Sequence, residues 1–311
     1  MAARKYTGNE LITAVRDTGM IPDTGSTGSE DADLLKYINQ AIATVLVPRL
    51  IATREDYFVQ RARTAVVSGT NKYRIPHRAA YGKLRDVWFI DNDSDRIYLP
   101  RTPEEEMHRF SDLTGSGDDP VAYFIEGEYV VLLPEVSPTY TGYLEFVYFT
   151  RPGEVVKTTS AGVVSSVAGK VITCTADVSS VFSIGDTVDV HSPYSGAELK
   201  CWDLTVTNVS TTDVTVSQDI DGSTYGTMPV TAGDYLCIAE ECVVPSLPRE
   251  LHPLVARAAA VYIAESIGDT DMLQFHSQLL EKNLTDALKA LETRIEGRPW
   301  KVTGRTGPLG W

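Results

Sequence analysis

The tightest constraint on the fold is a change of hydrophobic period between Asp33 and Tyr73. Leu34, Ile38, Ile42 and Val45 recur at steps of three and four, which places them on one face of a helix. Pro48 lacks an N–H and its ring crowds the preceding turn, so it is expected to end or kink that helix. Leu50, Ile51 and Arg54 carry a second helical piece that ends near Tyr57 and Phe58. From Val59 the period becomes two, and residues 59–67 and 72–75 read as strands about the turn Ser68-Gly69-Thr70-Asn71. A helical layer thus hands over to a sheet, and the core is expected between them.

The N-terminal flank supports this. Thr7-Gly8-Asn9-Glu10 has the spacing of a capping box, and Leu11, Ile12 and Val15 then give a short helix that stops at Gly19. Residues 23–31 form a polar Gly/Ser loop without the Gly-Lys-Ser/Thr of a phosphate loop. Ser29, Glu30 and Asp31 supply the cap and acidic first turn of the next helix.

A β-meander follows. Segments 84–90 and 96–99 flank the acid-rich turn 91–95, where Arg96 stands in place of a calcium loop's glycine and Thr102 in place of its glutamate. A solvated hairpin turn is the reading. Thr102 and Pro103 open a short helix toward Phe110; residues 120–134 form a hairpin about Glu126-Gly127-Glu128; residues 143–151 add one more strand.

At Pro152-Gly153 the composition shifts. Residues 155–243 are rich in Val, Thr, Ser, Asp and Gly and read as short strands spaced by turns, a small sandwich or barrel. Three lysines there face eleven acids, so most of the chain's net charge of −14 sits in this module. Helix returns after Pro245 and Pro248. Leu251, Leu254, Val255, Ala258, Tyr262 and Ile263 mark one helix, with Pro253 confined to its first turn. Gly268 breaks it, Asp269 or Thr270 caps the next, and Leu273, Leu280, Leu284, Leu288, Leu291 and Ile295 form a single stripe.

The expected fold class is therefore α+β: a helical core packed with a β-meander, plus an inserted all-β sandwich or barrel module. The expected division is residues 1–154 with 244–295 as core, 155–243 as the insert, and 296–311 as an extended arm. That arm is basic on an acidic body, and Arg298, Trp300, Lys301, Arg305 and Trp311 have the composition of a docking segment.

The chemistry-bearing residues give no catalytic frame. The five histidines lack metal-binding spacing, and Gly25-Ser26-Thr27-Gly28 is not a nucleophile elbow. The four cysteines, Cys174, Cys201, Cys237 and Cys242, read as reduced thiols in a packed β-region, so no metal and no cofactor is expected. Net negative charge argues against a protein that grips nucleic acid through its phosphates, though not against one that lines a path for DNA. The N-terminus lacks the apolar core of a secretory signal, which points to synthesis in a cytosol, and the apolar runs fall short of a membrane span.

One succession of motifs carries a resemblance. L-x-x-Y-I-N (Leu34, Tyr37, Ile38, Asn39) leads to R-E-x-x-F (Arg54, Glu55, Phe58), then to G-x-x-x-Y-x-I-P (Gly69, Tyr73, Ile75, Pro76) and V-x-F (Val87, Phe89). P-x-x-Y-x-I-x-G (Pro120, Tyr123, Ile125, Gly127) and L-x-P (Leu132, Pro134) follow, and finally L-P-x-x-L-x-x-L-x-x-x-A-A (Leu247 to Ala259) with Gly268-Asp269 between two helices. The order and spacing resemble the head-to-tail adaptor, or connector, proteins of tailed bacteriophages, especially short-tailed ones. The resemblance covers about 34–150 and 247–295, and the module at 155–243 departs from the shorter members.

The resemblance implies a non-enzymatic virion protein of the neck. It implies a homo-oligomeric ring, commonly dodecameric, that binds the portal protein, extends the DNA channel without gripping the genome, and offers a platform to tail or nozzle proteins. No membrane partner is implied. The C-terminal arm would clasp the portal. Two other classes stay open from the residues alone: a virion-associated cell-wall hydrolase using acids such as Glu104, Glu105, Glu106, Asp118 or Asp119, and a glycan- or receptor-binding protein acting through the β module.

Overall fold

The structure, a computed structural model, describes residues 6–19, 30–67, 69–91, 95–106, 120–134, 142–220 and 229–291. It is α+β, with a closed barrel as its inserted all-β part.

Helix α1 (Gly8–Gly19) opens with both halves of the capping box: the Thr7 N–H donates to Glu10 at 3.0 Å and the Glu10 N–H to the Thr7 hydroxyl at 3.4 Å. Helix α2 (Asp31–Ala41) begins with Glu30 at the cap, but among the described residues no side chain makes a cap hydrogen bond there. Asp31 instead pairs with Arg16 and Lys157. Pro48 does not end this helix. The chain passes through a π-turn (Ile42–Leu46), where Val47 N–H reaches back five residues to Ile42, and continues as α3 (Val47–Thr53) with the proline in its first turn. The widened turn absorbs the missing donor and gives the ring room.

The resulting run Asp31–Thr53 has 23 residues and contains an 18-residue window of mean hydropathy 1.2, long and apolar enough to cross a bilayer, contrary to the sequence expectation. Its inner stripe of Leu34, Ile38, Leu46 and Leu50 is fully buried in protein. That is the position of a core helix.

A 3₁₀ turn (Glu55–Phe58) leads into a β-sandwich. One sheet has the order β1 (Val59–Ala65), β7 (Gly142–Thr150), β3 (Ala79–Asp91), β4 (Arg96–Leu99). The other runs β2 (Lys72–Arg74), β6 (Tyr129–Leu133), β5 (Ala122–Glu126). The strands on either side of residues 68–71 therefore belong to different sheets. Between the sheets lie Val87, Phe89, Leu99, Val130, Leu132, Leu144, Phe146 and Tyr148.

Strand β8 (Glu154–Val155) pairs in parallel with β15 (Glu241–Cys242), so the chain's way into the next unit lies beside its way out. Between them a barrel closes in the order β10 (Val171–Cys174), β13 (Asp213–Val216), β12 (Leu199–Val209), β11 (Thr187–His191), β14 (Tyr235–Ile238), β9 (Gly162–Ala168). Gly162 lets β9 close the ring, because a Cβ there would stand 2.7 Å from the Cys174 sulfur.

The chain then returns through a 3₁₀ turn to α4 (His252–Ile267), which starts with Pro253 in its first turn and ends at Gly268 in the left-handed conformation. Asp269 caps α5 (Thr270–Leu291), accepting from Met272 N–H at 2.9 Å. Small residues Ala256, Ala258, Ala259 and Ala260 bury α4 on most sides, and α1, α2 and α5 close around it. The expectation of one core between helices and sheet thus gives way to separate ones. The helices fill their own, the sandwich has a second, and the barrel a third. A helix and a sheet can each bury an apolar face without the other when another layer of the same kind is at hand.

Candidate functional site

The motif residues divide between two of these cores. Leu34, Ile38 and Phe58 are buried with Leu247, Leu251, Ala258 and Ala259 in the helical core, and Tyr37 packs at its edge. Tyr73 and Tyr123 belong to the sandwich. The Tyr73 hydroxyl accepts from Val67 N–H at 3.0 Å and donates to the Thr70 carbonyl at 2.7 Å, which pins the turn between the two sheets. Pro76 accepts from Ala79 N–H as the chain enters β3, and Pro120 is buried at the start of the β5–β6 hairpin. Arg54 is exposed at the helix-to-sheet corner; the Glu55 side chain lies outside the described residues. So do Glu104's side chain, His108, Asp118, Asp119 and the whole arm with Arg298, Trp300, Lys301, Arg305 and Trp311.

Asn39 acts differently from its neighbours. Its amide donates to the Val155 carbonyl at 3.1 Å and accepts from the Val155 N–H at 2.8 Å. A side-chain amide here stands in for a strand partner and ties α2 to the entrance of the barrel.

A second tie joins barrel and sandwich. Arg78, in the turn before β3, holds both carboxylate oxygens of Asp189 on β11 at 2.7 and 2.8 Å, and Asp203 on β12 at 2.8 Å. Asp189 also accepts from the Asp203 and Glu240 N–H groups, both of which sit on left-handed backbone. Burial opposes the guanidinium charge, but Asp203 and Asp189 outweigh it and raise the Arg78 pKa above its ordinary value. Sequence reasoning missed this pair, since its members are 111 residues apart.

Beside this junction runs an apolar groove of about 1060 Å³, lined by Ile42, Val47 and Ile51 of the helices, Tyr81 and Phe149 of the sandwich, and Glu241 at the barrel exit. Glu241 lies opposite Glu154 in the β8–β15 register, and burial together with that like charge pushes its pKa up.

The sheet face turned away from the sandwich core carries charge. Glu145, in the middle of β7, is only 1% exposed. Arg63 donates to it at 2.8 Å from β1, Arg96 hydrogen-bonds it from β4, and Arg61 stands 3.7 Å away. Arg96 also lies over the Trp88 ring, whose edge meets Tyr98. The sequence signal was present: Arg61 and Arg63 at an i, i+2 spacing share a strand face, and Glu145 interrupts an otherwise apolar strand.

The thiols are free and buried, and burial pushes Cys174 and Cys201 up to about 11 and Cys242 to about 12, which makes them poor nucleophiles at neutral pH. Among the described residues no group of three His, Cys, Asp or Glu is placed to hold a metal.

The SU10 adaptor protein family model matches residues 6–174, more than half of the chain, from α1 through the sandwich into the first barrel strands. The chain belongs to that family. It is a phage adaptor protein. A comparison with curated proteins gives no match. Within this adaptor the match takes in Asn39, Arg78 and Glu145, so the Asn39 tie, one half of the barrel junction and the charged sheet face all fall inside the family region.

Proposed function

We propose that this adaptor forms a ring of identical copies, commonly twelve, between the portal and the tail in the neck of the virion. The ring extends the DNA channel and gives tail or nozzle proteins a platform. Family membership over the helical layer and the sandwich carries the reading. The core spans 1–154 with 244–295, the insert 155–243 is held to it by Asn39 and Arg78, and the arm 296–311 reaches the portal through Arg298, Trp300, Lys301, Arg305 and Trp311. Such an adaptor is a structural component and not an enzyme, made in the host cytoplasm and carried in the particle.

The test is to mix the full chain with a portal ring and image the product. A closed ring of the adaptor seated on the portal is the expected result; monomers bound singly, or no binding, would refute it. Truncation after Ile295 is expected to leave a folded protein that no longer joins the portal, and unchanged portal affinity would remove the arm from the reading.

A further inference from the structure

The charged sheet face is unusual on a chain of net charge −14. Three guanidiniums, those of Arg61, Arg63 and Arg96, converge on the single carboxylate of Glu145. Each guanidinium brings about five donors and the carboxylate about four acceptor sites, so most of the donors remain for something else. Glu145 is anchored in a central strand between β1 and β3 and is shielded from water. It therefore fixes the arginine heads in place while their side chains stay 39–61% exposed. Half-exposed Tyr98 and Tyr143 border the patch. Fixed arginines among aromatics, with a surplus of two positive charges, are the composition of an interface centre for an anionic partner.

The complementary chemistry exists on the same chain. The barrel loops and the first residue of β13 supply Asp177, Asp186 and Asp213, and among the described residues none of the three is held in an ion pair. Asp177 and Asp186 accept hydrogen bonds from their own turns, at Ser179 and Ser183, which holds these carboxylates in position. Val178 N–H donates to Thr211 and so joins the turn of Asp177 to that of Asp213. Ile184, two residues before Asp186, is 69% exposed and offers an apolar contact for the aromatic border.

We infer that the Glu145-centred arginine face of one copy receives the Asp177–Ile184–Asp186–Asp213 region of the barrel on a second copy. The contact joins two different surfaces of one chain, which is the heterologous type that closes into rings. It rests on the ring reading above and supplies its interface. Duplex DNA, the other anionic candidate, has no counterpart to Ile184, and the acidic body repels its phosphates.

Sedimentation of the full chain, alone and with a portal ring, tests the contact through charge exchange. Arg61→Glu with Arg63→Glu is expected to weaken subunit association about tenfold or more at low salt, and Asp186→Lys with Asp213→Lys to do the same. Mixed in equal amounts, the two double variants are expected to regain association, because every contact in an alternating ring is again between opposite charges. Circular dichroism establishes that each variant is folded, and the mixture recovers only if both are. Wild-type rings that neither double variant alters, or a mixture that fails to recover, would overturn the contact while leaving the ring intact. A reversal that spares the ring and weakens binding of a short DNA duplex would assign the face to DNA instead. A wild-type chain that stays monomeric even with the portal would bring down the ring reading, and the contact with it.

Discussion

Arg78 and Asp189 meet across the boundary between sandwich and barrel, with one guanidinium nitrogen 2.7 and 2.8 Å from the two carboxylate oxygens and both side chains buried. Without Arg78 the buried Asp189 carboxylate keeps the Asp203 and Glu240 N–H groups but loses its bound counter-charge. Arg78→Met is therefore expected to lower stability by about 3–5 kcal/mol. Adding Asp189→Leu should recover part of that loss, since it removes the unpaired buried charge while leaving the Asp203 and Glu240 N–H groups without their acceptor. Urea denaturation of the single and double variants measures both.

Asn39→Ala removes a donor and an acceptor from the Val155 peptide at once. The expected cost is about 1–3 kcal/mol. Asn39→Asp should cost at least as much, because the aspartate faces the Val155 carbonyl without a proton to offer. Hydrogen exchange at Val155 N–H should accelerate in both variants.

Glu145→Gln leaves three arginines around a neutral amide. Loss of charge-assisted hydrogen bonds at a buried acceptor is expected to cost about 1.5–3 kcal/mol. The same change should loosen the arginine heads, seen as broader guanidinium signals by NMR.

His191, His252 and His276 are expected to make the protein acid-sensitive. Burial lowers the pKa of each below the ordinary value of 6.5. The His252 ring nitrogen Nε2 lies 3.0 Å from the Leu247 carbonyl and His191 Nδ1 2.9 Å from that of Gly196, so both rings sit in the fold as neutral donors. Below pH 6.5 the unfolded chain binds protons that the folded chain refuses, so stability is constant above that pH and falls as pH drops through it toward the lowered values. Thermal melting at pH 7.5 and 5.5 should show the lower Tm at pH 5.5. His252→Gln should flatten that difference, because one refused proton is gone.

The helices were legible because their signals are local. The Thr7–Glu10 box, the Leu34–Ile38–Ile42 stripe, Gly268 and Asp269 each act within one or two turns, and each stands where the periodicity puts it. The alternation and turns that mark β10–β14 are equally local, while β9, with Gly162 and two serines, carries less of that signal. Pro48 was legible as a disturbance but not as a π-turn, since whether a helix breaks or widens depends on what packs on both sides of it.

Local order in the chain decided which segments are helix or strand, where they start, and that charge gathers in residues 155–243. The fold alone decided which strands share a sheet, that Arg78 finds Asp189, that Asn39 clasps Val155, and that Arg61, Arg63 and Arg96 gather on Glu145. Hydrogen-bonded periods span a few residues and are written in the order of the chain. Charge pairs between distant segments depend on where burial strips away water, and that is settled only when the layers have closed.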